Sequence, residues 1–392
     1  MSFDKKHMLK YQPTGMLALE INYALVAMAL EMVGGFGVLF VYLLGDSAVN
    51  GLWLVLGFYG LQRMVTVLTS VWVGNFVYRR GYRRAILLSM FLTVVKLVLL
   101  FLTTRESLWL LLPALIAGGL HLGLYDVAFQ GLFLGDNDDE RICEQNGWLD
   151  LLAHIGGVLS PLIAGLIVTF FGFPELFLVA MVLLLVSTIP LWLMPHHDKK
   201  FRRFDFSESV AIFKQEKTLV ASVFWWHFQD SVLIFVWPIF LYLMITNYSL
   251  FGLFGSMAMV ASGLANIVAG KLYDKRPLRR GHWWLTGLIG ATWIGMAFSM
   301  GGWWAAGANT LRKLISPLWW MKFRRYALVK GETIPAVEFG VVWVWIVTLG
   351  YLAGITVVIG LVLVTGQWYA MMLPALLGVF MSSFSLRKGN ET

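Results

Sequence analysis

Long apolar runs separated by short polar segments repeat along the chain from residue 16 to residue 384. A helix needs about 20 apolar residues to cross a hydrocarbon core. The pattern predicts spans over 16–44, 51–74, 85–103, 108–134 and 146–171, and a sixth turned in at Gly172–Pro174 and ending near 194. Six more follow over 219–245, 249–270, 283–300, 303–321, 336–364 and 367–384. The longest polar stretch, 195–217, divides the chain into 1–194 and 218–392. Within it Asp205 and Glu208 match a capping box. Phe206, Val210 and Phe213 share a helical face, so a short amphipathic helix lying on the membrane surface is expected there.

Spans nine and ten are separated only by Gly301 and Gly302, so a single span over 283–308 is the rival reading. The distribution of cations decides against it. With twelve spans, 25 of the 30 Lys and Arg lie on the N-terminal side of the membrane and only Arg105 lies opposite. Eleven spans would move Arg312, Lys313, Lys322, Arg324, Arg325 and Lys330 to the wrong side. The expectation is twelve spans with both termini cytoplasmic, in a plasma or inner membrane.

Composition agrees: 59% of residues are hydrophobic and 13% charged, which suits lipid as the surrounding solvent. The first apolar run is too long for a signal-peptide core and reads as a retained span. The net charge of +8 sits between spans, so it sets orientation and implies no nucleic-acid partner. The lone Cys143 excludes an intrachain disulfide.

Two basic segments, GNFVYRRGYRR at Gly74–Arg84 and GKLYDKRPLRR at Gly270–Arg280, start half a chain apart, each reading as a short turn after the second span of its half. This repeat resembles the major facilitator superfamily, whose turn carries Gly-x-x-x-Asp-Arg/Lys-x-Gly-x-Arg/Lys-Arg/Lys. The second copy supplies Gly270, Asp274, Lys275, Arg279 and Arg280, with Pro277 at the glycine position. The first supplies Gly74, Arg79, Gly81, Arg83 and Arg84, with Tyr78 at the acidic position. Gly157, Pro161 and Gly165 look like the fifth-helix motif of exporters in that superfamily. The resemblance implies an all-α membrane protein of twelve transmembrane helices in two pseudo-symmetric six-helix bundles. Separately, Arg residues of the turns can pair with carboxylates across the interface between halves and latch one conformation as a cytoplasmic gate, and Asp136, Asp138, Asp139 and Glu140, on the same membrane side, are the partners expected for the first turn. That latch is expected to be weaker or differently built, because Tyr78 replaces the acid.

Charges inside spans cost about 2.5–3.5 kcal/mol each on insertion scales, so each one marks a candidate site. Glu31 lies mid-span on a face with Glu20, Ala24 and Ala27; Tyr59, Arg63, Thr66 and Ser70 form a stripe; Ser89, Thr93 and Lys96 form another. Glu31, Arg63 and Lys96 fall at similar depth, which suggests a charge cluster, with Lys96 read as a structural ion-pair partner. Asp126 and Gln130 share a face that His121 does not, and Asp150–His154 and His227–Asp230 are spaced as helical pairs. Asn309, Arg312, Lys313 and Ser316 lie on one face of the tenth span. The tryptophans near span ends (Trp283, Trp284, Trp303, Trp304, Trp319, Trp320) read as interfacial anchors.

No phosphate loop, nucleophile motif or catalytic carboxylate pair is present, so no enzyme, metal site or cofactor is expected. The function expected is secondary active transport of a small solute by alternating access, coupled to protons and directed towards export. Glu31, Asp126 and Asp230 would carry protons, and Arg63, Arg312 and Lys313 would hold an anionic or polar group, with His227 and Asn309 alongside. An uncoupled facilitator and a non-transporting sensor or assembly subunit are the alternatives. The partners expected are the solute, protons and the bilayer, with the chain acting as a monomer.

Overall fold

In the computed structural model the described residues are 13–136, 157–192, 204–275, 282–299, 301–331 and 334–389. They form thirteen helices: α1 (Pro13–Leu43), α2 (Ala48–Arg80), α3 (Tyr82–Leu102), α4 (Leu111–Asp136), α5 (Ser160–Phe170), α6 (Phe173–Trp192), α7 (Phe206–Gln215), α8 (Lys217–Ile245), α9 (Tyr248–Lys275), α10 (His282–Ala297), α11 (Gly302–Gly331), α12 (Ala336–Thr365) and α13 (Met372–Gly389). Nine of the helices among these residues are long and apolar enough to cross a membrane. Helices suit that setting because they satisfy their own backbone groups where lipid offers no partner. Leu68, Phe91, Val182 and other large apolar side chains stay exposed, as lipid-facing positions should.

α10 and α11 are separate helices, broken around Ser299 and Gly301, so the fused span over 283–308 does not form. α11 runs on to Gly331, well past the end expected near 321. The first basic segment also differs from expectation: α2 continues through it to Arg80, and the chain turns at Gly81 alone. Gly81 has φ 85°, a conformation that costs a side-chain-bearing residue dearly, so this glycine is what makes so tight a reversal possible.

α8 carries a π-helical turn, Val232–Val236, in its middle. Pro238 has no N–H to offer the Ile234 carbonyl and its ring would clash there, so the turn takes in an extra residue and the proline is its physical cause. The turn begins two residues after Asp230.

Two antiparallel seams join helices that precede the 195–217 linker to helices that follow it. In the α5–α9 seam a Cβ on Gly252 would fall on the Pro161 carbonyl, and one on Gly165 on the Tyr248 carbonyl. Glycine lets these backbones touch, and the Ser256 hydroxyl accepts from the Leu162 N–H at 3.1 Å. The α2–α12 seam is polar and passes through the candidate site.

α7 is capped as its sequence suggests, with the Asp205 carboxylate accepting from the N–H groups of Ser207 (2.8 Å) and Glu208 (3.4 Å). It does not simply lie on lipid, however. Phe206 and Phe213 both meet Trp345 of α12 edge-on, at 5.8 and 6.2 Å.

The tryptophans divide in the same way. Trp283, Trp284, Trp303 and Trp304 are exposed, whereas Trp319 is 1% exposed and is a packing residue instead of an anchor. It stacks on Trp226 with centroids 4.3 Å apart and donates to the Ser383 hydroxyl at 2.9 Å.

Candidate functional site

The polar stripe predicted on α2 lies against α12. Arg63 stacks over the Tyr351 ring at 4.4 Å, and Ser70 accepts from the Trp345 indole at 2.7 Å. Tyr78 donates to the Glu338 carboxylate at 2.6 Å. As residue numbers rise along α2 they fall along α12, one contact every two turns, which is an antiparallel zipper. Thr66 instead donates to carbonyls of Gln62 and Gly119, tying α2 to α4.

Tyr351 is the hub of the mid-membrane charges. Its hydroxyl donates to the Asp230 carboxylate of α8 at 3.1 Å, while the guanidinium of Arg63 covers its ring. Asp126 of α4 is within electrostatic reach of both Arg63 and Tyr351. One aromatic residue therefore links acids and a cation from three other helices.

Glu31 lies apart from that group. Its side chain is exposed, yet a Cβ on Gly157 would sit 3.4 Å from its Cγ and Lys313 is within electrostatic reach. It thus opens onto space between helices and not onto lipid. Arg312 and Lys313 lie about 15 Å along α11 from its start, about half a bilayer core deep. Arg312 is 1% exposed, with its guanidinium 5.5 Å from the Trp293 ring. Among the described residues, the side chains of Glu31, Arg312 and Lys313 form neither an ion pair nor a hydrogen bond. Among the described residues the one salt bridge between side chains is Arg105–Asp46, 3.7 Å, at the end opposite the basic turns.

The remaining candidates fall around these groups. The His227 Nδ1 lies 2.9 Å from the Val223 carbonyl, and its ring meets Tyr351 edge-on at 5.0 Å. His227 and Asp230 thus both contact Tyr351. Asn309 is buried, and its Oδ1 has no donor. Lys96 forms no ion pair with a described residue and lies 5.7 Å from the Phe58 ring centre and 5.9 Å from that of Tyr59, so it stands beside the cluster through aromatic faces. His121 is buried with Nδ1 3.1 Å from the Ser89 carbonyl. Asp150 and His154 lie outside the described residues. No group of three His, Cys, Asp or Glu among the described residues is placed to hold a metal ion.

At the basic end, Gly74 makes room for the ring of Phe204, which a Cβ there would approach to 2.9 Å. Arg83 donates to the Trp192 carbonyl at 3.1 Å and stacks on its ring, while Arg79 and Arg84 are exposed. Glu338, fully buried, accepts from Tyr78 and from the Asp205 N–H (3.2 Å), so this first copy is bound to α12 and to the linker. In the second copy Gly270, Asp274 and Lys275 belong to α9 as backbone, and Arg279 and Arg280 lie outside the described residues. So do Asp138, Asp139 and Glu140.

Sequence reasoning passed over Tyr351, Glu338, Gln229 and Trp293. A signal existed for Glu338, an acid at the start of a strongly apolar span. For Tyr351 and Trp293 there was none, since aromatic residues are common in every span here.

Sequence and structure comparisons agree with this architecture. The sequence profile of the Major Facilitator Superfamily matches residues 19–389. No curated protein matches the chain by sequence. Among solved structures, the human organic anion transporter TETRAN superposes with a TM-score of 0.70 at 12% identity, covering 95% of this chain and 100% of that one. The E. coli fucose:proton symporter gives 0.68 at 12% identity, covering 96% and 99%. A bacterial homologue of the iron transporter ferroportin, in an outward-facing state, gives 0.64 at 16% identity, covering 97% and 100%. At these identities the likenesses speak for the fold, whereas the profile spans nearly the whole chain: this multi-pass membrane protein belongs to the major facilitator superfamily of transporters.

Proposed function

We propose that the protein is a proton-coupled secondary transporter in which residues 1–194 and 218–392 rock against each other about a site near the midplane. The observation that carries this reading is the unpaired Glu31 on α1, within electrostatic reach of Lys313 on α11. Charges held apart at mid-membrane are costly unless something mobile completes them. A proton on the Glu31 carboxylate neutralises it and leaves Lys313 and Arg312 free to hold an anionic group of the solute. Loss of that proton restores the attraction to Lys313 and favours release. Arg63, Tyr351, Asp230 and Asp126 form the neighbouring relay, and His227 steadies Tyr351. The organic anion transporter and the fucose:proton symporter give precedents on this fold for an anionic cargo and for a coupled proton.

The basic end, with the termini, is assigned to the cytoplasm by the positive-inside rule. Export is the direction we favour, from the Gly157, Pro161 and Gly165 pattern. Reconstituted vesicles test the reading: an imposed pH gradient drives solute accumulation in the wild type, and Glu31→Gln retains exchange without response to the gradient. Solute flux in the wild type that ignores the pH gradient would overturn it and leave an uncoupled facilitator.

A further inference from the structure

Behind the central charges, between α8, α10 and α11, lies a buried cluster with more donors than acceptors. Trp293 of α10 is fully buried and donates its indole N–H to Gln229 Oε1 at 3.2 Å. That bond fixes which way the Gln229 amide points, because a flipped amide would set N–H against N–H. Its Nε2 is then left buried with no acceptor. Arg312 has two further donors, Nε and Nη1, in the same condition, with its guanidinium beside the same Trp293 ring. Asp230, next to Gln229 in α8, is within electrostatic reach of Arg312 but is hydrogen-bonded to Tyr351 and forms no ion pair with it. Asn309, one turn earlier on α11, leaves its own Oδ1 unpaired, so it does not supply the acceptor.

A buried cation without a partner is among the most unfavourable arrangements in a protein interior. Water can satisfy a neutral amide, but it leaves the charge uncompensated. We propose that Arg312 and Gln229 form an anion site. In it a compact anion accepts from Arg312 Nε and Nη1 and from Gln229 Nε2, and the Trp293 ring walls one side. The chemistry suits a halide, a phosphate or a carboxylate alike. For a carboxylate carried by the solute, the site rests on the transport reading above; for a free inorganic anion it does not.

The test is thermal unfolding of the purified full chain, in a buffer whose only counter-anion is a bulky sulfonate. Sodium chloride, sodium phosphate and a set of small monocarboxylates are titrated at constant ionic strength. The expected result is a saturable rise in Tm with at least one of them, absent in Arg312→Gln. Gln229→Glu supplies the missing negative charge from within, so it should raise Tm without added anion and flatten the titration. A response to chloride or phosphate identifies a free anion, and a response confined to carboxylates identifies a solute group. A wild type flat to all three classes, or Gln229→Glu less stable than wild type with the anion response kept, overturns the site. Should Arg312→Gln fail to fold, Gln229→Glu still decides the matter. Failure of the transport reading would show separately, as vesicle flux indifferent to pH with the anion response intact.

Discussion

Tyr78 stands where the family signature has an acid, and the acid has moved across the seam to Glu338. A phenol donating at 2.6 Å to a fully buried carboxylate replaces a surface ion pair with a charge-assisted hydrogen bond in a drier place. Tyr78→Phe should cost about 1.5–3 kcal/mol, because it removes a hydrogen bond to a charged group and leaves Glu338 with the Asp205 N–H as its remaining described donor. Tyr78→Asp, which restores the family residue, should cost more by setting two carboxylates face to face. Both are read as a fall in Tm. Greater stability of Tyr78→Asp would show that Glu338 is not the partner that matters.

At the scale of elements, the apolar periodicity located the helices, and their ends depended on context. α2 outruns its apolar stretch because Arg79 and Arg80 are exposed while the backbone remains helical, and α11 continues as a helix to Gly331. The π turn in α8 follows from one proline and sets the rotation of everything beyond Asp230 relative to everything before it. Pro238→Ala restores a backbone donor to Ile234, which favours a regular α-helix by up to about 3 kcal/mol. The prediction is equal or higher Tm together with reduced transport, since the Asp230–Tyr351 register would shift by about one residue. Reduced Tm with normal transport would mean that the turn is only a packing accommodation.

For the whole molecule, the two seams and the α4–α12 contact determine what can move. A Cβ on Gly340 would lie 3.2 Å from both the Cα and the carbonyl oxygen of Val127 and 3.4 Å from its Cγ1, so the two positions face each other at backbone contact. Val127→Cys with Gly340→Cys, in a Cys143→Ser background, should therefore cross-link on oxidation and stop transport, with recovery on reduction. Transport that persists through complete cross-linking would exclude rocking at this contact.

Much of this protein is legible in its sequence because the bilayer imposes a one-dimensional rule: length and hydropathy alone specify where a helix can cross. The same rule singled out Glu31, Arg63, Arg312 and Lys313, since a charge in an apolar run stands out without any knowledge of its neighbours. It could not say that Arg63 meets Tyr351, that Trp319 is core while Trp303 is not, or that Glu338 accepts from Tyr78 in the first turn. Those are relations between helices far apart in the chain, set by how each helix is rotated about its axis. In lipid, an apolar side chain is equally at home against a neighbouring helix or an acyl chain, so hydropathy leaves that rotation undetermined. Close packing at Pro161–Gly252 and at the Tyr351 hub determines it, and with it which of the buried charges meet one another.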